Sequence, residues 1–181
     1  SPIAAIQASA ELLQEDMPAE ERTRFLGNIL EQNARQRQLI DKLLALVRVE
    51  KQQRLERPER IALAPLLAQA AQDVAATLAA RDVHLRLDAG ELSVAGDVLL
   101  LRQALGNLLD NAAGFAPPGS CIDLLARRQG SEVEISVRDH GAGIPAYALE
   151  RVFERFYSLP RPAAGKSTGL GLPFVREVAS L

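Results

Sequence analysis

The sequence predicts an α+β chain in two parts, a helical hairpin followed by a mixed domain of helices and strands. Three observations carry this. Through residue 57 the apolar positions recur at spacings of three and four, the period of an amphipathic helix. A charged, Pro-containing stretch, Lys51 to Arg60, then interrupts the pattern. Beyond it, helical runs are mixed with short alternating ones, which suit a sheet that leans antiparallel rather than a regular strand–helix–strand alternation. No internal repeat is present.

The elements follow in order. Ile3, Ile6, Ala10 and Leu13 place one apolar stripe on a short first helix, with Pro2 where a first-turn proline is tolerated. Asp16 to Glu21 supplies a break and a new start, with acids in the first turn, where the helix dipole favours them. The long second helix carries Phe25, Ile29, Leu39, Leu43 and Leu46 on one seam and Leu26, Leu30, Ile40, Leu44 and Val47 beside it. That stripe is too wide for one short partner and implies a bundle completed to four helices by a second copy. The middle of the seam is polar (Gln32, Asn33, Gln36, Arg37), which fits either a register-setting layer or a docking surface.

In the second part, Arg60–Leu63 is strand-like and Ala64–Ala80 helical, with Leu66, Leu67, Ala70, Ala71 and Val74 inward. Val83–Leu87 alternates as a strand. Gly96-Asp97 opens a helix that runs to Phe115 and stops at Pro117-Pro118-Gly119. Ile122–Arg127 and Val133–Asp139 form a hairpin across Gln129-Gly130-Ser131. An irregular segment rich in Gly, Pro and Ser leads to a last helix from about Gly169. Both ends fall within helical pattern, so an interior slice of a longer protein is expected.

Composition narrows the function classes. The 181 residues are 48% apolar and 24% charged, which describes a globular polypeptide. Residues 1–57 carry nine Lys/Arg against nine Asp/Glu, and residues 58–181 carry twelve against fourteen. Neither part has the basic excess of a nucleic-acid binder. A single cysteine, Cys121, makes no internal disulfide, is too few for a zinc site and points to a reducing compartment. No run approaches the ~18 apolar residues of a membrane span, and no signal peptide precedes the first charges.

Four clusters hold chemistry. Asn107 and Asn111, four apart on a helix, project two amides from one face, able to hold hydrated Mg²⁺ or phosphate oxygens or simply to face solvent. Asp139-His140-Gly141-Ala142-Gly143 follows a strand; a carboxylate with two glycines lets backbone approach a flat ligand while the acid accepts from an exocyclic amine, although a plain strand-ending turn has the same look. Phe153 and Phe156 are an i,i+3 aromatic pair in a chain only 4% aromatic, fit for core or for anchoring a lid. Gly165-Lys166-Ser167-Thr168-Gly169-Leu170-Gly171-Leu172 puts glycines, hydroxyls and a lysine at a helix start, an anion site without Walker A spacing.

In this order the clusters resemble the ATP-binding domain of sensor histidine kinases, preceded by their dimerisation hairpin. Asn107–Asn111 matches the family's N box, Asp139/Gly141/Gly143 its first glycine box, Phe153–Phe156 its F box and Gly169–Leu172 its second glycine box. The resemblance spans nearly the whole chain, as a hairpin at 1–57 and a catalytic domain at 58–181. It implies a two-layer α/β sandwich of the histidine kinase, gyrase and Hsp90 ATPase type, with ATP and Mg²⁺ as cofactors. Asn111 would coordinate the metal and Asn107 support the phosphate end, the two acting as the catalytic pair. Asp139 would accept from the adenine amine, with Gly141 and Gly143 giving the base room. Residues 144–168 would form the lid, and Lys166, Ser167, Thr168 and the backbone of Gly169, Leu170, Gly171 and Leu172 would cradle the phosphates. Arg155 fits a further phosphate contact or a surface charge. The implied partners are a second copy, through the hairpin, and a response-regulator receiver domain, in the cytoplasmic part of a bacterial inner-membrane sensor whose anchor lies upstream.

Three departures qualify the match. The phosphoacceptor His of the motif H-E-x-x-[ST]-P falls four residues before Ser1, and neither His84 nor His140 replaces it; Ser1 takes the motif's Ser/Thr position. A basic residue common in relatives three positions after the N-box Asn is Gly114 here. The closing strands of the domain are expected after Leu181. Two other readings stay open: another ATPase or serine kinase of this fold, against which stands the lack of a glutamate at position 107, and a non-catalytic dimerising scaffold.

Overall fold

The computed structural model describes residues 2–160 and 167–181. The chain divides into two compact units, Ser1–Ala45 and Leu46–Leu181.

The first unit holds helix α1 (Pro2–Leu12) and most of helix α2 (Ala19–Lys51). Proline at position 18 leaves its carbonyl to accept the Arg22 amide at 3.1 Å, and Glu20 and Glu21 occupy the first turn of α2, as the dipole favours. The expected seam is present: Phe25, Ile29, Gln32, Gln36, Leu39 and Leu43 are half-buried at spacings of three and four. The neighbouring row is not covered, and Leu26, Leu30, Ile40 and Leu44 are exposed. Within the polar middle of the seam the Gln36 amide nitrogen is buried with no hydrogen-bond partner among the described residues.

The second unit begins with the last turns of α2, where Leu46 and Val49 are buried. It continues β1 (Glu59–Ala62), α3 (Leu63–Ala80), β2 (His84–Asp88), β3 (Ser93–Gly96), α4 (Val98–Phe115), β4 (Cys121–Gln129), β5 (Glu132–Arg138) and α5 (Gly171–Ala179). Strand β3 has no counterpart in the sequence reading. It pairs antiparallel with β1, from Glu59↔Gly96 to Ala62↔Ser93. The other three strands run in the order β2-β4-β5. β4 and β5 form the expected antiparallel hairpin, closed by Gly130 at φ +63° and Ser131, a two-residue loop with Gly first, as a type II′ turn requires. β2 runs parallel to β4, because the chain crosses over through β3 and α4 between them.

Helices α3 and α4 form the second layer. Leu63, Leu66, Leu67, Ala70, Val74 and Leu78 of α3 and Leu105, Leu109, Ala112 and Ala113 of α4 close on Ile122, Leu124 and Ala126 of β4 in one core. Asp97 caps α4, accepting the Leu99 and Leu100 amides at 2.8 and 3.0 Å. Leu99 therefore sits in the first turn and is 75% exposed. On the outside, Arg102 of α4 forks onto Asp73 of α3 with two hydrogen bonds of 2.8 Å, and this contact holds the Asp73 carboxyl below its ordinary range. Among the described residues no helix is long and apolar enough to cross a membrane.

Candidate nucleotide site

One pocket of about 210 Å³ collects residues from three places. The first wall is α4. Its spacing puts Leu108, Asn111, Ala112 and Phe115 along one stripe, while Leu105 and Leu109 face the core. Ala116 N–H donates to Ala112 at 2.8 Å and the helix ends before Pro117, which keeps Phe115 at the rim.

The second wall is the turn after β5, where Val137, Asp139, Gly143 and Ile144 line the pocket. Asp139 Oδ1 accepts the Gly141 N–H at 2.8 Å. A Cβ on Gly141 would lie 2.6 Å from the Phe115 carbonyl oxygen and 2.8 Å from that same Oδ1, so only glycine allows the turn to fold against α4. Gly143 has φ +75° with open space around it, so there conformation rather than room calls for glycine.

The third wall comes from the irregular segment and the start of α5: Val152, Tyr157, Ser158, Leu159, Ser167, Gly169, Gly171 and Leu172. The Arg151 guanidinium lies 4.3 Å over the Tyr157 ring and pairs with Glu154 at 3.2 Å. The start of α5 is held from below by Leu170, Pro173 and Phe174, all buried. The Gly171 Cβ position is 3.5 Å from the Asn107 side chain, which sets the N-terminus of α5 beside α4.

Of the residues singled out by sequence, Asn111, Asp139, Gly143, Ser167, Gly169, Gly171 and Leu172 line this one pocket. Gly141 supports Asp139 through its amide. Asn107 lies at the flank, against Gly171, and Thr168 is half-buried outside the lining set. The Leu170 side chain is 1% exposed and belongs to the core, leaving only its backbone for a ligand. Lys166, the lid positions 161–165 and Ser1 lie outside the described residues. Arg155 donates to Glu50 in the last turn of α2 rather than lining the pocket. Phe153 and Phe156 are exposed rather than core. Gly114 is buried, its carbonyl accepting from Arg81 at 3.3 Å. Ile144 opens the expected lid, whereas the sequence reading marks none of the other apolar walls, Leu108, Phe115 and Val137, as site residues. Leu108 and Phe115 were within reach, since each stands three or four residues from Asn111 on the helix. Among the described residues no group of three His, Cys, Asp or Glu converges as a metal site.

Residues 96–181 match the family described as histidine kinase-, DNA gyrase B- and HSP90-like ATPase, and residues 1–52 match the His kinase A (phospho-acceptor) domain. The sensor protein CreC of Escherichia coli K12 is 46% identical over 181 residues, all of this chain and 38% of that protein. The mycobacterial sensor histidine kinase MprB is similar in structure, with a TM-score of 0.57 and 30% identity over 67% of this chain and 77% of that one. Histidine kinase ThkA in complex with response regulator protein TrrA shares the fold at a TM-score of 0.72 and 19% identity, covering 90% of this chain and 48% of that one. The chain spans about two-fifths of the length of the curated relatives it matches.

Proposed function

The chain belongs to the sensor histidine kinases, and from that premise we propose that it is the cytoplasmic core of one: it binds Mg²⁺-ATP, supports autophosphorylation of a histidine upstream of Ser1, and hands the phosphoryl group to an aspartate of a response regulator. The observation that carries this reading is the convergence on a single pocket of Asn111 from α4, Asp139 and Gly143 from the turn after β5, and Ser167, Gly169, Gly171 and Leu172 from the first residues of α5 and those just before it. On this reading residues 1–57 are the dimerisation and phosphotransfer hairpin and residues 58–181 the nucleotide-binding domain of an inner-membrane sensor.

The residues fit the nucleotide. Asp139, with Oδ1 bound to the Gly141 amide, has its other oxygen for the adenine amine, and Val137, Ile144 and Leu159 offer apolar faces to the base. The volume of about 210 Å³ is below the roughly 300–1,000 Å³ of common small-molecule sites. It suits a base, with the triphosphate reaching the open mouth between Asn111 and the α5 N-terminus. There the Gly169 to Leu172 backbone and the helix dipole favour anionic oxygens, with Ser167 and Thr168 adding hydroxyls.

Asn111 is the protein ligand for the metal. Mg²⁺ prefers oxygen donors and keeps several waters, so one amide plus the nucleotide's own phosphates is an adequate set where the described residues hold no group of three His, Cys, Asp or Glu. The ion would neutralise charge on the transferring phosphoryl group. The protein's share is positioning: Asp139 fixes the base, Asn107 and Asn111 fix the phosphate end, and the apolar walls exclude water.

The partners follow from the same reading. The uncovered Leu26, Leu30, Ile40 and Leu44 row on α2 supports a homodimer through the hairpin. A receiver domain is supported by the family and by the ThkA–TrrA complex.

The test incubates the protein, extended at both ends, with labelled ATP and Mg²⁺. Acid-labile, base-stable phosphate that is absent from Asn111→Ala is the expected result. A folded dimer that takes no label overturns the kinase reading and leaves a scaffold.

A further inference from the structure

We infer that His140 is a positioning residue for base recognition: its imidazole ties the turn bearing Asp139 to strand β4 and thereby sets which nucleobase the pocket prefers. This rests on the nucleotide-binding reading above.

Strand β5 ends at Arg138, whose ladder partner is Asp123. Past that pair the chain leaves the sheet, so Asp139 to Gly143 has no backbone ladder to hold it. Continuing the register by two places brings position 140 opposite Cys121, and there His140 Nδ1 lies 2.8 Å from the Cys121 carbonyl oxygen. A carbonyl only accepts, so Nδ1 carries the proton and donates. The side chain thus supplies a sheet contact that the backbone has stopped making.

The anchor on β4 is firm. Ile122, the next residue, is fully buried, and on the other flank the His84 amide donates to Ser120 at 2.9 Å. The second brace on the turn is internal, the Asp139 Oδ1 to Gly141 N–H bond of 2.8 Å. With one brace on each side, the Asp139 carboxylate is held in one orientation, its remaining oxygen left for an exocyclic amine. Without the His140 brace the turn keeps its internal bond but loses its tie to the sheet. Because His140 is exposed, the loss should register in ligand selection before it registers in folding.

The experiment compares affinities for ATP and purine riboside triphosphate by calorimetry in the wild-type chain, His140→Leu and His140→Asn, with thermal melting as a check on folding. Purine riboside carries a hydrogen in place of the exocyclic amine and keeps the N1 acceptor, so the ratio of the two affinities reads the contact of that amine. His140→Leu should weaken ATP about five-fold, the scale of one lost hydrogen bond, and leave purine riboside triphosphate unchanged. His140→Asn, whose amide nitrogen can stand in for Nδ1, should keep the wild-type ratio. A wild-type ratio in His140→Leu, or equal weakening of both nucleotides, would overturn the inference. A wild-type chain that binds neither nucleotide would instead overturn the function on which it rests.

Discussion

The Phe156 amide donates to the Gly169 carbonyl at 2.9 Å, fastening together two residues thirteen positions apart. Both stand in the left-handed region, at φ +63° and +65°. Phe156 bears a strain of about 1–3 kcal/mol there, which the surrounding contacts must offset.

The first prediction concerns that clamp. A Cβ on Gly169 would lie 2.5 Å from the Phe156 carbonyl carbon and 2.7 Å from the Tyr157 nitrogen, all backbone. Gly169→Ala should therefore open the clamp, lower the melting temperature and weaken ATP by more than about ten-fold, since the clamp costs more to break than one hydrogen bond. A Cβ at Gly143 meets nothing within 4 Å among the described residues, so Gly143→Ala should cost the conformational penalty of about 1–2 kcal/mol. Calorimetry and melting on the two variants separate the cases; equal effects would refute the steric account.

The second concerns assembly. Leu30 is 69% exposed in the uncovered row of α2. If a second copy covers that row, Leu30→Glu buries a charge at the interface and should shift the chain from dimer to monomer. Sedimentation equilibrium reads this directly, and a wild-type chain that is monomeric at all concentrations refutes the homodimer.

The third concerns acid. The Arg102 hydrogen bonds, foremost, hold the Asp73 pKa below its unfolded value of 3.8. A carboxyl with a depressed folded pKa stabilises the fold above the unfolded pKa and loses that contribution as pH falls through the folded one. Asp73→Asn should thus be slightly less stable than wild type at pH 7, with the gap closing below about pH 3.8. The pair is exposed, so the effect is small. Chemical denaturation at several pH values checks it; a gap that widens in acid contradicts the assignment.

The fourth separates core from site. Leu109 is fully buried on the core side of α4, away from the pocket lining. Leu109→Ala should lower stability by about 2–5 kcal/mol, measured in urea. Below its unfolding range the variant should bind ATP as wild type does.

Much of this was legible in the residues, for identifiable reasons. Asn107 and Asn111 could be placed on one helix because α4 keeps its period for 18 residues. Asp139 could be placed at a strand end because Val133, Ile135 and Val137 alternate up to it. Strand β3 was not legible: it is four residues long, and its partner β1 lies more than thirty residues back. The parallel pairing of β2 with β4 is equally non-local. Tyr157, Ser158 and Leu159 come from a segment without any period, so nothing in their spacing points to the pocket. The phase of α4 separates Asn111, which lines the pocket, from Asn107, which lies beside Gly171; spacing alone puts them on the same face.

The position of Tyr157 under Arg151 has an optical consequence. The sequence contains no Trp and only two Tyr, so its near-ultraviolet emission comes from Tyr147 and Tyr157. Tyr147 is 71% exposed and outside the pocket lining, whereas Tyr157 lines it beneath a guanidinium. Occupying the pocket changes the surroundings of one emitter and leaves the other in water. The unlabelled chain thus carries its own gauge of occupancy, with a built-in reference signal.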